Sequence, residues 1–128
     1  MLALVIDDSR AMRMILKRIL LDLGFEVVEA ADGQQALEVV AAGPLPDLAT
    51  IDWNMPVMNG LEFVGAVRAN RGYRAMTLMM VTTESEHSQI VRALAAGAHE
   101  YVLKPFTAEA ISAKLSLLGL VPTSSATA

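Results

Sequence analysis

An α/β fold, doubly wound about a five-stranded parallel sheet, is what this sequence predicts, and two observations carry the prediction. Five short runs of aliphatic and β-branched residues alternate with five stretches of helical periodicity, the pattern of repeated βαβ units. Consecutive positions within those runs are apolar, as in strands covered by helices on both faces. Right-handed crossovers then put helices on each side of one sheet. The pattern alone leaves the strand order open.

The elements follow in order. Leu2-Ala3-Leu4-Val5-Ile6 is the first strand and ends at Asp7-Asp8, with Ser9 placed as the N-cap of the first helix. Periodicity assigns Met12, Ile15, Ile19 and Leu23 to the inner face of that helix, and Gly24 ends it as a left-handed terminal glycine. The second strand runs from Glu26 to Ala30, and Asp32-Gly33 turns into a helix reaching about Ala42. Gly43-Pro44-Leu45-Pro46 is a breaker before the third strand, Leu48-Ala49-Thr50-Ile51, which ends at Asp52. Asn59-Gly60 closes the next loop, a helix spans Leu61 to Ala69, and Asn70-Arg71-Gly72 interrupts it. Leu78-Met79-Met80-Val81 is the fourth strand, with Thr82 and Thr83 after it. Ile90, Val91 and Leu94 mark a fourth helix that Gly97 ends. Tyr101-Val102-Leu103 is the fifth strand, followed by Lys104-Pro105, and the last helix begins near Thr107 and stops at Gly119 and Pro122. Residues 1–118 are expected to form one domain, and 119–128, small and polar from Val121 onward, a disordered tail.

Composition removes several function classes. A chain of 128 residues can bury one core without staples, and the absence of cysteine excludes disulfides and thiolate metal sites. Hydrophobic content is 54% and the mean hydropathy +0.44, yet no apolar run approaches the ~20 residues of a membrane span. The first apolar stretch has no basic leader and is cut short by Asp7-Asp8, unlike a signal peptide, so cytoplasmic residence is expected; a monomer is expected as well. A net charge of −4 argues against a broad basic face for nucleic acid.

The chemistry lies at the strand ends. In an open α/β sheet the carboxyl ends of the strands form one edge, and ligands bind in the crevice outside it. Asp7, Asp8, Asp52, Thr82, Thr83 and Lys104 all fall at that edge. Three converging carboxylates repel one another unless a cation sits among them, and hard oxygen ligands suit Mg²⁺. Mg²⁺ takes only one or two carboxylates and keeps positions for phosphate oxygens, while Lys104 adds an ammonium and Thr82 a hydroxyl. These are the parts that phosphoryl transfer needs, and Asp52 is the natural nucleophile, able to become an aspartyl phosphate. Each residue also has a bland reading. A lone Asp at a strand end is more often a cap or turn former, Asp7-Asp8 could merely complement a helix dipole, and Lys-Pro after a strand is usually an exposed turn. All of them at matching strand ends is a coincidence that the bland readings do not explain.

Val5-Ile6-Asp7-Asp8-Ser9, Asp52-Trp53-Asn54-Met55-Pro56, Asn59-Gly60, Val81-Thr82 and Tyr101-Val102-Leu103-Lys104-Pro105-Phe106 together resemble a response-regulator receiver domain, over about Leu2 to Leu118. The resemblance is strongest to the single-domain members that serve chemotaxis. It implies a flavodoxin-like (βα)5 sandwich of strand order 2-1-3-4-5, an order taken from the family and not from the pattern. It further implies Asp52 as phosphoacceptor, and Mg²⁺ held by Asp8, Asp52 and the main-chain carbonyl of Asn54, with Asp7 acting mainly through water. By the same resemblance Lys104 and Thr82 bind the phosphoryl oxygens, Lys104–Pro105 is cis, and Tyr101 changes rotamer with phosphorylation state. The implied donor is a phosphohistidine on a sensor histidine kinase. The implied output is a protein contact through Ile90, Tyr101, Phe106 and Lys114, with the flagellar motor switch one candidate partner and a phosphatase another. No enzymatic activity is expected beyond the chain's own phosphorylation and dephosphorylation.

Departures and alternatives complete the reading. The start of the fourth helix is Ser85-Glu86-His87, without the basic residues of enteric relatives, so a partner less acidic than their motor-switch segment is expected. Trp53 is expected to be a packing residue, His87 and His99 solvated surface residues, and Met12, Met14, Met55, Met58, Met76, Met79 and Met80 gap-fillers of core and loops. Asn54 and Glu84 sit where the family tunes hydrolysis of the aspartyl phosphate, although Glu84 reads equally as a solvated side chain. An Asp-nucleophile phosphohydrolase would need an acidic residue two positions after Asp52, where Asn54 stands. A flavin-binding domain would need a Ser/Thr/Gly-rich phosphate loop where Asp7-Asp8 stand. A phosphorelay intermediate or a phosphate sink would use the same site with a different output.

Overall fold

The computed structural model describes residues 1–83 and 87–120. Glu84, Ser85, Glu86, the side chain of His87 and residues 121–128 lie outside the described residues, and with them the expectations placed on them. Five strands, β1 (Leu2–Ile6), β2 (Glu26–Ala30), β3 (Leu48–Asp52), β4 (Thr77–Thr83) and β5 (Glu100–Lys104), alternate with five helices. The helices are α1 (Arg10–Asp22), α2 (Gly33–Ala42), α3 (Gly60–Ala69), α4 (His87–Ala96) and α5 (Ala108–Leu117). The sheet is parallel throughout, in the order β2-β1-β3-β4-β5.

Alternation along the strands divides the core into two layers. Leu4 and Ile6 of β1, Ala49 and Ile51 of β3, and Leu78 and Met80 of β4 pack with Val40 of α2, Phe63, Val64 and Val67 of α3, and Ala93 of α4. Their neighbours Ala3, Val5, Leu48, Met79, Val81 and Val102 pack on the other face against Leu16 and Leu20 of α1 and Ile111 and Leu115 of α5. The central strands β1, β3 and β4 are covered on both faces, as their composition predicts. The edge strands β2 and β5 are less buried, each having a neighbouring strand on one side only.

Side-chain caps start the helices where small polar residues stand. Ser9 Oγ accepts from the Met12 amide at 3.2 Å, Asp32 Oδ1 from the Gln35 amide at 2.8 Å and Thr107 Oγ1 from the Ala110 amide at 3.0 Å. Asn59 and Glu62 form a reciprocal capping box at α3. Gly24 follows α1 at φ +96°, the left-handed conformation expected of it.

Four expectations change. Ile15 is 50% exposed, and the fully buried residues of α1 are Leu16 and Leu20. Met14 is likewise exposed, whereas Met76, Met79 and Met80 fill the core as predicted and Trp53 packs into it. β4 continues through Thr82 and Thr83 because its last residues pair with Leu103 and Lys104 of β5. His99 is exposed but not merely solvated: its Nδ1 accepts the Leu78 amide at 3.1 Å and lies 3.2 Å from an Arg68 nitrogen. Burial and the Arg68 charge hold its pKa below the ordinary histidine value. Arg68 also donates to the carbonyls of Gly97, Arg74 and Met76, tying α3 to the turns on either side of it.

Candidate functional site

Register builds the site. Asp52 at the end of β3 pairs with Val81, the residue before Thr82, and Lys104 at the end of β5 pairs with Thr83. Asp7 continues the line of β1, its amide donating to the Ala30 carbonyl at 3.1 Å. Carboxylate oxygens of Asp7, Asp8 and Asp52 consequently lie within 4.8 Å of one another. Asp7 and Asp52 are buried, at 1% and 8% exposure, while Asp8 and Asn54 are exposed. The Lys104 ammonium stands between the buried pair, 3.2 Å from Asp52 Oδ1 and 3.6 Å from Asp7 Oδ2. The Lys104–Pro105 peptide is cis, as the resemblance implies.

The electrostatics are those of a site short of positive charge. Burial, then the neighbouring Asp7 charge, push the Asp52 carboxyl up to about 6, against the pull of Lys104. Burial also raises the pKa of Asp7, although the Ser9 amide donates to its Oδ1 at 2.8 Å and Lys104 is near. The other Asp7 oxygen, Oδ2, is buried without a hydrogen-bond partner. Two desolvated carboxylates, one with an orphaned oxygen, and an exposed third fit a hard divalent cation, which together with the Lys104 ammonium would balance all three charges. Asp8, Asp52 and Asp7 are the candidates to hold it.

The loop after Asp52 shapes the mouth. Its chain doubles back so closely that a Cβ on Gly60 would stand 2.6 Å from the Asp52 carbonyl oxygen, so only glycine fits there. Val57, 81% exposed, adopts φ +68°, and the Met58 amide donates to the Pro56 carbonyl at 2.7 Å, a γ-turn about Val57. Positive φ is costly for a β-branched residue, so this turn stores strain beside the site.

Thr82 is buried in β4, next to the register partner of Asp52. The residues expected on the output face lie apart from the carboxylates. Tyr101, Phe106 and Lys114 are half-buried, whereas Ile90 is 3% exposed. The solvent-facing apolar side chains nearby in sequence are Val91 at 59%, Leu94 and Leu103. Three residues that sequence reasoning did not single out also bear on these sites. Arg13 donates to the Asp7 carbonyl at 2.7 Å and pairs with Glu29 at 3.2 Å, buttressing the acidic strand end from α1. Glu100 pairs with Lys114. The spacing of 16 residues between Arg13 and Glu29 carries no local signal, since β2 brings them together. A cleft of about 610 Å³ lies along α1, lined by Arg10, Met14, Lys17, Arg18 and Leu21 among others, and does not coincide with the acidic edge.

The fold and this acidic edge are those of a receiver domain. Residues 3–116 match the model of the response regulator receiver domain, and the chain belongs to that family. It is 41% identical over 116 residues to the chemotaxis protein CheY1 of Helicobacter pylori, covering 90% of this chain and 94% of that protein. It is 43% identical over 113 residues to the chemotaxis protein CheY of Pseudomonas aeruginosa, covering 88% of this chain and 90% of that one. Among solved structures, the chemotaxis response regulator CheY4 of Vibrio cholerae superposes with a TM-score of 0.84 at 37% identity, covering 91% of this chain and 97% of that one. The chain is thus a CheY-like receiver, the receiving component of two-component signalling.

Proposed function

We propose that this chain is a response-regulator receiver that takes a phosphoryl group on Asp52 from a sensor histidine kinase and passes the signal on by binding a downstream protein. The observation that carries the reading is the cluster of Asp7, Asp8 and Asp52 within 4.8 Å, faced by the Lys104 ammonium at 3.2 Å. Asp52 Oδ attacks the phosphorus of a phosphohistidine, the P–N bond breaks, and the imidazole leaves with the bonding pair and picks up a proton. Lys104 lies where its charge can follow a phosphoryl oxygen once Asp52 is esterified, and the Thr82 hydroxyl is the donor assigned to a second. Asp8, Asp52 and the Asn54 carbonyl are the proposed holders of Mg²⁺, with Asp7 acting through water; when bound, the ion supplies charge for the remaining phosphoryl oxygen.

Residues 1–118 act as the receiver, in keeping with the match to chemotaxis relatives over 94% and 90% of their lengths. Among the described residues no helix is long and apolar enough to cross a membrane. Chemotaxis is the proposed pathway, on the strength of those relatives, and cytoplasm the proposed compartment, where a kinase phosphohistidine is made. The downstream contact is assigned to the face formed by α4, β5 and α5, with Tyr101, Phe106 and Lys114 at its centre and Ile90 beneath it. Thr82 is the proposed link: a hydroxyl drawn toward the phosphoryl group vacates space for Tyr101 to turn.

Incubation with acetyl phosphate and Mg²⁺ should add one base-labile phosphoryl group that Asp52→Asn lacks. Stoichiometric labelling that persists in Asp52→Asn would sink the assignment. Capture of the downstream protein should need the phosphorylated form and be lost in Tyr101→Ala; equal binding by that variant would move the output face elsewhere.

A further inference from the structure

Lys114 is not a free cation. Its ammonium lies 3.1 Å from Glu100 Oε1 and 4.7 Å from the centroid of the Tyr101 ring, over the ring face. The same Glu100 oxygen accepts the Tyr101 amide at 3.0 Å. One carboxylate on β5 therefore holds the ammonium of α5 in place, and that ammonium lies on the ring. All three side chains are half-buried, so the contacts are only partly screened by water. The acidic edge is served by Lys104 and has no part in this arrangement.

Two consequences follow from the geometry. Tyr101 cannot change χ1 without withdrawing its ring from the cation, so the contact favours the conformer in which it exists. The Lys114 charge is also already answered by Glu100, and α4 and β5 carry the exposed apolar side chains Val91, Leu94 and Leu103. We infer that Glu100 is a positioning residue: through Lys114 it latches Tyr101 in the resting conformer and withdraws the lysine charge from partner recognition. The inference rests on the output face assigned above. It makes switching a competition, in which the phosphoryl group must outweigh the latch before the face can repack. An acidic partner segment then gains little from Lys114 while Glu100 holds it.

A latch of one half-buried ion pair and one cation–π contact biases a two-state equilibrium by about three- to tenfold. The test follows the Tyr101 ring directly, by fluorine NMR of protein carrying 3-fluorotyrosine, the resonance being assigned with Tyr101→Phe. Beryllofluoride with Mg²⁺ stands in for the phosphoryl group. Without beryllofluoride, Glu100→Gln should move the Tyr101 resonance part-way toward its beryllofluoride-bound position. The midpoint of the beryllofluoride titration should fall about three- to tenfold. Lys114→Gln should do the same, and combining the two should add less than a further twofold, since both break one latch. A Tyr101 resonance unmoved in both single variants, or fully additive effects, would overturn the latch. Failure of beryllofluoride to bind the wild type would instead remove the Asp52 reading, and the resting Tyr101 resonance would still decide the latch. Folding of each variant is checked by its dispersed methyl spectrum, and the two single variants serve as independent tests.

Discussion

Asp52→Asn should make the metal-free protein more stable. In the fold, burial and Asp7 raise the Asp52 carboxyl from 3.8 to about 6, so the charged form is disfavoured there relative to the unfolded chain. At about 1.4 kcal/mol per pH unit this amounts to about 3 kcal/mol at neutral pH, when the group must ionise. The asparagine keeps the shape and removes the charge, and Lys104 retains Asp7 as a partner at 3.6 Å. The pull of Lys104 at 3.2 Å is already contained in that net shift, so a gain of up to about 3 kcal/mol is expected, or up to about 10 °C in Tm. Because the folded pKa lies above the unfolded one, the wild type holds its Asp52-linked stability below pH 3.8 and loses it as pH rises through about 6. The advantage of the asparagine variant should therefore be full at pH 7.5, about half as large at pH 5, and nearly gone below pH 4. Saturating Mg²⁺ should close the gap at pH 7.5 by stabilising the wild type, by about 2.7 kcal/mol at a hundredfold excess over Kd. Urea unfolding in EDTA and in Mg²⁺, at each pH, measures all of this. A variant no more stable than wild type at pH 7.5 in EDTA, or an advantage that does not shrink toward pH 5, would refute the reasoning.

Four further outcomes are expected. Val57→Gly or Val57→Asn should stabilise the protein by up to about 1 kcal/mol, because the exposed valine contributes no packing and its φ of +68° is strained; denaturant midpoints that fall instead would show the turn to be unstrained. Gly60→Ala should cost several kcal/mol or shift Asp52, since its Cβ would meet the Asp52 carbonyl at 2.6 Å, and a stable variant with unaltered Mg²⁺ affinity would contradict that contact. Phe63→Ala, at the centre of the larger core layer, should destabilise by about 3–5 kcal/mol in urea titrations, and a loss below 1 kcal/mol would misplace it. Mg²⁺ added to the metal-free protein should change Trp53 fluorescence saturably, and Asp8→Ala should weaken that response; a flat titration would leave the acidic cluster without its cation.

Much of this protein was legible in its residues because the relevant signals are local. The βα alternation, the caps at Ser9, Asp32, Asn59 and Thr107, and the polar residues at strand ends each depend on a few neighbours in sequence. Once the elements are parallel and doubly wound, their carboxyl ends must meet at one edge, so Asp7, Asp8, Asp52 and Lys104 could be brought together on paper. The buried face of α1 could not. Apolar residues at 12, 14, 15, 16, 19, 20, 21 and 23 surround that helix almost completely, and only docking on β1 and β2 selects Leu16 and Leu20 over Ile15. Nor does any local pattern announce the positive φ of Val57, which the return of the chain to Gly60 imposes. The raised Asp52 pKa arises from burial beside Asp7, 45 positions away, and the Glu100–Lys114–Tyr101 contact from α5 folding back along an edge strand. Residue order sets which groups reach the edge and the face; their charge state, strain and pairing are set by distances between residues far apart in the chain, and those exist only in the folded molecule.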